Sequence, residues 1–186
     1  MIFGTQIQLG HPKINQGSFS RFEKVKDVFL ELFRVEEESL YLFWHDVPIR
    51  FRYCKDLHQI FDDILAMIWM LQDKESGAAK VTLQNQLLSM TWAFRWQGDD
   101  LQIDSVFSAR DELYRKYADA LNKNASIKVS KKAFLSEWKT LLHQIVISFD
   151  AGNIEIEDGT ERRKLEMMQS VEASISGYGK LYTRAQ

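Results

Sequence analysis

Cys54, His58 and Asp62 stand four residues apart, a spacing that would place a thiol, an imidazole and a carboxylate on one face of a helix. With His45 near in sequence, such a face offers donors for zinc, and Cys54 beside His58 would also make a nucleophile with its base. A plainer reading stands beside this one. Cys54 follows strand-like residues and Asp56 looks like a helix cap, which puts Cys54 outside the helical phase and leaves a half-buried thiol, an exposed imidazole and a solvated carboxylate. Asp62-Asp63 is a conceivable nuclease-type metal pair, but adjacent helix positions diverge by about 100°, which works against shared coordination.

Other chemistry is sparse. Phosphate loops of the GxxxxGKS type, a GxGxxG after a strand, GxSxG, HExxH and the deaminase pattern are all absent, and the GYG at 177–179 follows a helical stretch, where glycines serve as stops. The single cysteine excludes an internal disulfide and any site built on cysteine pairs. No cofactor is expected. Arg50 and Arg52, beside Trp44 and Phe51, form either a small nucleic-acid platform or a cation-lined strand that protects a sheet edge. Trp92 and Trp96 read as core in preference to a ligand cage.

The acids carry more information. Residues 55–112 hold 5 basic and 10 acidic side chains, while 113–186 hold 12 and 9, so a net charge of −2 conceals a negative middle. Nucleic acid as a partner is disfavoured, because no overall basic field exists to concentrate it. Asp62, Asp63, Asp99, Asp100 and Asp104 are the candidate partner-binding residues. If the helix bearing the first two lies beside the hairpin bearing the others, their field would attract a basic protein and hasten its association. The bland alternative is a solvated face that keeps the protein in solution.

The elements that position these residues centre on 90–107. Met90, Trp92, Phe94 and Trp96 alternate with Thr91, Ala93 and Arg95, and Leu101, Ile103 and Phe107 repeat the pattern. A two-residue turn at Gly98-Asp99, with Gly98 at positive φ, predicts Trp96 opposite Leu101, Phe94 opposite Ile103 and Met90 opposite Phe107. A phase switch at His45-Asp46 predicts a second hairpin with Trp44 facing Val47, Leu42 facing Ile49 and Leu40 facing Phe51, or else a bulge. Ile2 to Leu9, with Phe3, Thr5 and Ile7 on one side, predicts a first strand closed by His11-Pro12.

Ser20 and Glu23 form a capping box for a helix with Phe22, Val25, Phe29, Leu32 and Phe33 on one stripe, ending near Val35 before an acidic turn at Glu36 to Glu38. A helix from Asp56 carries Leu57, Ile60, Phe61, Ile64, Ile68 and Leu71 and ends at Ser76-Gly77, before a short strand at Val81 to Leu83. Helical patterns follow at 113–121, from a Ser130 cap to Gly152, and from Thr160 to Ile175, with a connection at Asn122 to Ser126 and an acidic turn or strand at Ile154 to Gly159. The tail from Gly177 is weakly specified.

This order predicts one α+β domain over 1–186, mixed to residue 107 and helical from 108, with an antiparallel sheet of about five to six strands packed against helices. The opening residues read as neither signal nor transit peptide, and no apolar run approaches a membrane span of about 20 residues. A soluble, cytoplasmic protein is expected.

A short α+β chain with a WAFRWQGDDLQI hairpin, an acidic middle and no catalytic set resembles the immunity proteins of bacterial polymorphic and contact-dependent growth-inhibition toxin systems. The resemblance is one of general character and carries over no residue. It implies a stoichiometric, non-catalytic protein-binding module that occludes a basic toxin without turnover. Two other expectations stand beside it: a metal-dependent hydrolase or other enzyme built on Cys54, His58 and Asp62, and a structural subunit that self-associates through its C-terminal helices.

Overall fold

The structure is a computed structural model and describes residues 5–10, 12, 14–15, 21–33 and 39–173. Phe3 of the first strand, His11, the Ser20 cap, the helix end at Val35, the acidic turn at Glu36 to Glu38, Ile175 and the tail from Gly177 lie outside them.

The chain is α+β. Strands β1 (Thr5–Gln8), β3 (Ser39–Trp44) and β4 (Val47–Arg52) form an antiparallel sheet in the order β1-β3-β4. Strands β5 (Ser76–Gln84), β6 (Leu88–Gln97), β7 (Asp100–Ala109) and β8 (Ser126–Ser130) form a second, also antiparallel and in sequence order. Between them run α1 (Val25–Leu32), α2 (Lys55–Asp73), a 3₁₀ turn at Glu112–Tyr114, α3 (Arg115–Asn122), α4 (Lys131–Ala151) and α5 (Gly159–Ser170). The short strands β2 (Arg21–Phe22) and β9 (Glu155–Ile156) pair in parallel.

Both expected hairpins form in the expected register. Trp96 pairs with Leu101, Phe94 with Ile103 and Met90 with Phe107 across β6 and β7, and Gly98 takes φ +56° at the turn. Across β3 and β4, Trp44 pairs with Val47, Leu42 with Ile49 and Leu40 with Phe51. No bulge is needed, because His45 itself takes φ +52° at the first turn position, a conformation that favours glycine.

The single expected sheet of about five to six strands is instead a three-stranded and a four-stranded sheet beside the short β2–β9 pair, and the two larger sheets meet through aromatic rings. Trp44 of β3 stacks on Trp92 of β6 with centroids 5.5 Å apart, and Phe107 of β7 meets Trp44 edge-on at 5.2 Å. Phe134 and Trp138 of α4 close over Trp92 at 6.4 Å each, so α4 lies where the sheets join. Such aromatic pairs add about 0.5–1.5 kcal/mol each beyond the area they bury. A second cluster sets Phe29 of α1 against Phe33, Phe61 of α2 and Phe149 of α4.

Four local expectations change. Phe22 belongs to β2, and α1 starts only at Val25, whose N–H is accepted by Glu161 of α5 at 3.0 Å. Helix α2 starts at Lys55, one residue early, because the Asp56 carboxylate turns back to the Arg52 N–H at 2.8 Å and to its guanidinium. Ser76-Gly77 opens β5 where a helix stop was expected, since Gly77 leaves room for the Trp96 indole. The C-terminal third is not purely helical, because SIKVS at 126–130 pairs with β7 and buries Ile127.

Candidate functional site

The thiol, imidazole and carboxylate of 54, 58 and 62 are each engaged separately. Cys54 is buried at the N-terminal boundary of α2, its Sγ 3.7 Å from the Leu30 carbonyl, and burial raises its pKa, the reverse of what a thiolate nucleophile or ligand requires. His58 Nε2 lies 3.5 Å from the Asp27 carboxylate on α1. Asp62 accepts from Lys164 of α5 at 2.7 Å, and Glu161 holds the same ammonium at 2.6 Å. Burial works against the charge on Lys164, but these hydrogen bonds and attractions outweigh it and raise its pKa. Among the described residues, no three His, Cys, Asp or Glu side chains gather in a way that would hold a metal ion.

Each acidic candidate has a distinct position. Asp63, beside Asp62 on the exposed face of α2, has its carboxyl pKa raised by partial desolvation and then by its neighbour's charge. Asp99 sits at the β6–β7 turn and caps a helix far along the chain. Its Oδ1 accepts the Lys132 N–H at 2.9 Å, its Oδ2 accepts the Ser130 hydroxyl at 2.7 Å, and its carbonyl accepts the Lys131 N–H at 2.6 Å. Ser130 Oγ accepts the Ala133 N–H at 3.2 Å, so the first three amides of α4 are all satisfied. The Lys132 amide, and then Ser130, hold the Asp99 carboxyl below its ordinary range.

Asp104 lies on the outer sheet face, taking bonds from Ser126 (2.7 Å), Gln102 (3.1 Å) and Arg95 (2.6 Å), which depress its pKa in that order. Asp100 pairs in register with Gln97 and Ser130 and is exposed. The acids are thus divided. Asp62 and Asp63 belong to the helical layer beside α5, and Asp99, Asp100 and Asp104 to the hairpin tip and outer face.

Arg50 is exposed and donates across the hairpin to the Ser39 hydroxyl at 2.6 Å, and Arg52 is tied to buried Asp56. Trp92 and Trp96 are core, as expected.

What the sequence did not disclose is the surface on the far side of that core. The alternation that buries Trp92, Phe94 and Trp96 turns Ala93, Arg95 and Gln97 outward, and no described helix lies over them. Ala78, Arg95, Gln102 and Lys128 run in one row across the four strands, and Ser76, Gln97, Asp100 and Ser130 in the next. Small residues on β5 leave an open depression of about 990 Å³ over these rows, lined by groups of both charge signs. The period-two pattern implied an outer face, but only the order of the strands could show which side chains share it. Comparisons of the chain with family models, with curated proteins and with solved structures find no match.

Proposed function

We propose that the chain is a non-catalytic protein-binding module that takes a basic protein on the outer face of its four-stranded sheet, in the manner of an immunity protein that neutralises a toxin by covering its working surface. The observation that carries this reading is the uncovered face itself, where an open depression brings together Arg95, Asp100, Gln102 and Lys128 from three strands. A wide, shallow surface of mixed polarity suits a protein partner better than a small substrate, which needs an enclosed pocket. The excess of acids over bases in residues 55–112 supplies attraction at long range, and at contact exposed Asp100 would meet a cation of the partner while Arg95 and Lys128 would meet its acids.

Asp99 then supports the site by fixing the hairpin tip to α4, and Asp62 belongs to the helix packing. The test is capture from the native host at low ionic strength, comparing the unaltered chain with Asp100→Lys. The reading expects a basic protein retained in stoichiometric amount by the former and bound at least several-fold more slowly by the latter. Retention of an acidic partner, or equal association rates, would overturn it.

A further inference from the structure

A sheet edge exposes every second backbone N–H and C=O, and this fold satisfies such groups with side chains at two of its edges. Along β4, the outward Pro48 carbonyl accepts the Tyr117 hydroxyl, the Arg50 carbonyl accepts the Asn85 amide at 2.8 Å, and the Arg52 N–H is taken by Asp56 at 2.8 Å. Along β1, the Ile7 N–H is taken by Glu137 of α4 at 2.7 Å. Edge strand β8 is only 5 residues long.

Strand β5 differs. It runs 9 residues without proline or bulge, paired to β6 one for one. The Gly98 N–H donates to the Glu75 carbonyl at 2.9 Å and the Asn85 N–H to the Leu88 carbonyl at 3.0 Å, so the odd-numbered residues face β6. Ser76, Ala78, Lys80, Thr82 and Gln84 therefore direct their backbone groups away from the sheet, and no described residue bonds to them.

We propose that this edge receives an extended strand of another protein, with a carboxylate side chain set opposite Lys80. Lys80 decides the occupant. It lies at the middle of β5 on the outer face and makes no ion pair among the described residues. Two copies of β5 pairing antiparallel about their centres would oppose one Lys80 to the other, which is unfavourable, whereas an acid on an incoming strand gains from the same cation. The small side chains of Ala78 and Ala79 let that strand approach, and its alternate residues would extend the buried face past Val81. The inference does not depend on the partner proposed above for the outer face.

The probe is a nine-residue peptide of alternating threonine and valine with one central glutamate, and its twin with a central lysine. Amide hydrogen exchange on the full chain should show rapid exchange at Ala78, Lys80, Thr82 and Gln84, slow exchange at 79, 81 and 83, and slowing of the fast set when the glutamate peptide is added. The lysine peptide should bind about three- to tenfold more weakly, and Lys80→Glu should reverse that preference. Protection of the outward amides in dilute protein without peptide, protection that grows with protein concentration alone, or equal affinity for both peptides would each overturn the proposal. No basic partner enters the assay, so its failure leaves the function proposed above untouched.

Discussion

Replacing Asp99 by alanine should loosen the first turn of α4, although the residue lies 33 positions upstream of the amide it serves. The carboxylate accepts one helix N–H directly and orients the Ser130 hydroxyl that accepts another. Loss of a cap costs about 1 kcal/mol, and loss of an anion from the positive end of an exposed helix a further 0.3–1 kcal/mol or so. Water replaces part of both at this exposed turn, so about 1–2 kcal/mol is expected, or about 3–6 °C in Tm for a chain of this size. Asp100→Ala, one residue on, should stay within about 0.5 kcal/mol. Asp99→Asn keeps one acceptor, enough for the Lys132 N–H, but sets an amide N–H where the Ser130 hydroxyl donates, so it should lose the charge contribution and that one bond while retaining the direct cap. Because the folded-state pKa of Asp99 is depressed, its stabilisation is complete above the unfolded carboxyl value and disappears as the pH falls through the lower folded one. The gap between the unaltered protein and Asp99→Asn in urea titrations should therefore narrow as the pH falls below the ordinary aspartate value of about 4. Equal stability of Asp99→Ala and Asp100→Ala at neutral pH would refute the capping argument.

Gly77→Ala should cost about 1–3 kcal/mol by denaturation, since the added Cβ would stand 2.6 Å from Trp96 Cζ2 and the indole is pinned by its bond to the Lys74 carbonyl at 3.0 Å; Trp96→Phe should relieve most of that loss. Tyr117 is half-buried and its pKa is pushed up to about 12 by burial, so ultraviolet titration should show a late tyrosine ionisation that Tyr117→Phe removes. The raised value means that its contribution holds below the ordinary tyrosine pKa of about 10 and is lost as the pH rises through the folded one, a dependence that Tyr117→Phe should abolish. Ser105 is buried with no partner for its hydroxyl among the described residues, so Ser105→Ala should leave stability unchanged or raise it by up to about 1 kcal/mol in the same assay.

The two hairpins were legible because apolar alternation and a two-residue turn together specify which residues face one another, and a slip of one residue would turn the aromatic set to solvent. The first half of β5 was not, because Ser76 to Ala79 have little intrinsic strand preference; they are extended because Trp96 needs the space that Gly77 leaves. SIKVS at 126–130 was too short for its alternation to compete with a loop reading, and it becomes a strand by pairing with β7. The roles of the acids were least visible. Nothing near Asp62 or Asp99 in sequence points to Lys164 or to the amides of α4, because those bonds exist only after distant elements have docked.

The Trp44–Trp92 stack has a consequence for observing this molecule. Two indoles held nearly parallel inside a rigid interior couple their electronic transitions, and here one indole belongs to each sheet. Their joint dichroic signal therefore reports whether the sheets are in register with each other, separately from whether either is formed. If that signal fades while the amide signal persists on heating, the halves part before they melt; if the two fade together, the aromatic junction is what makes the chain a single cooperative unit.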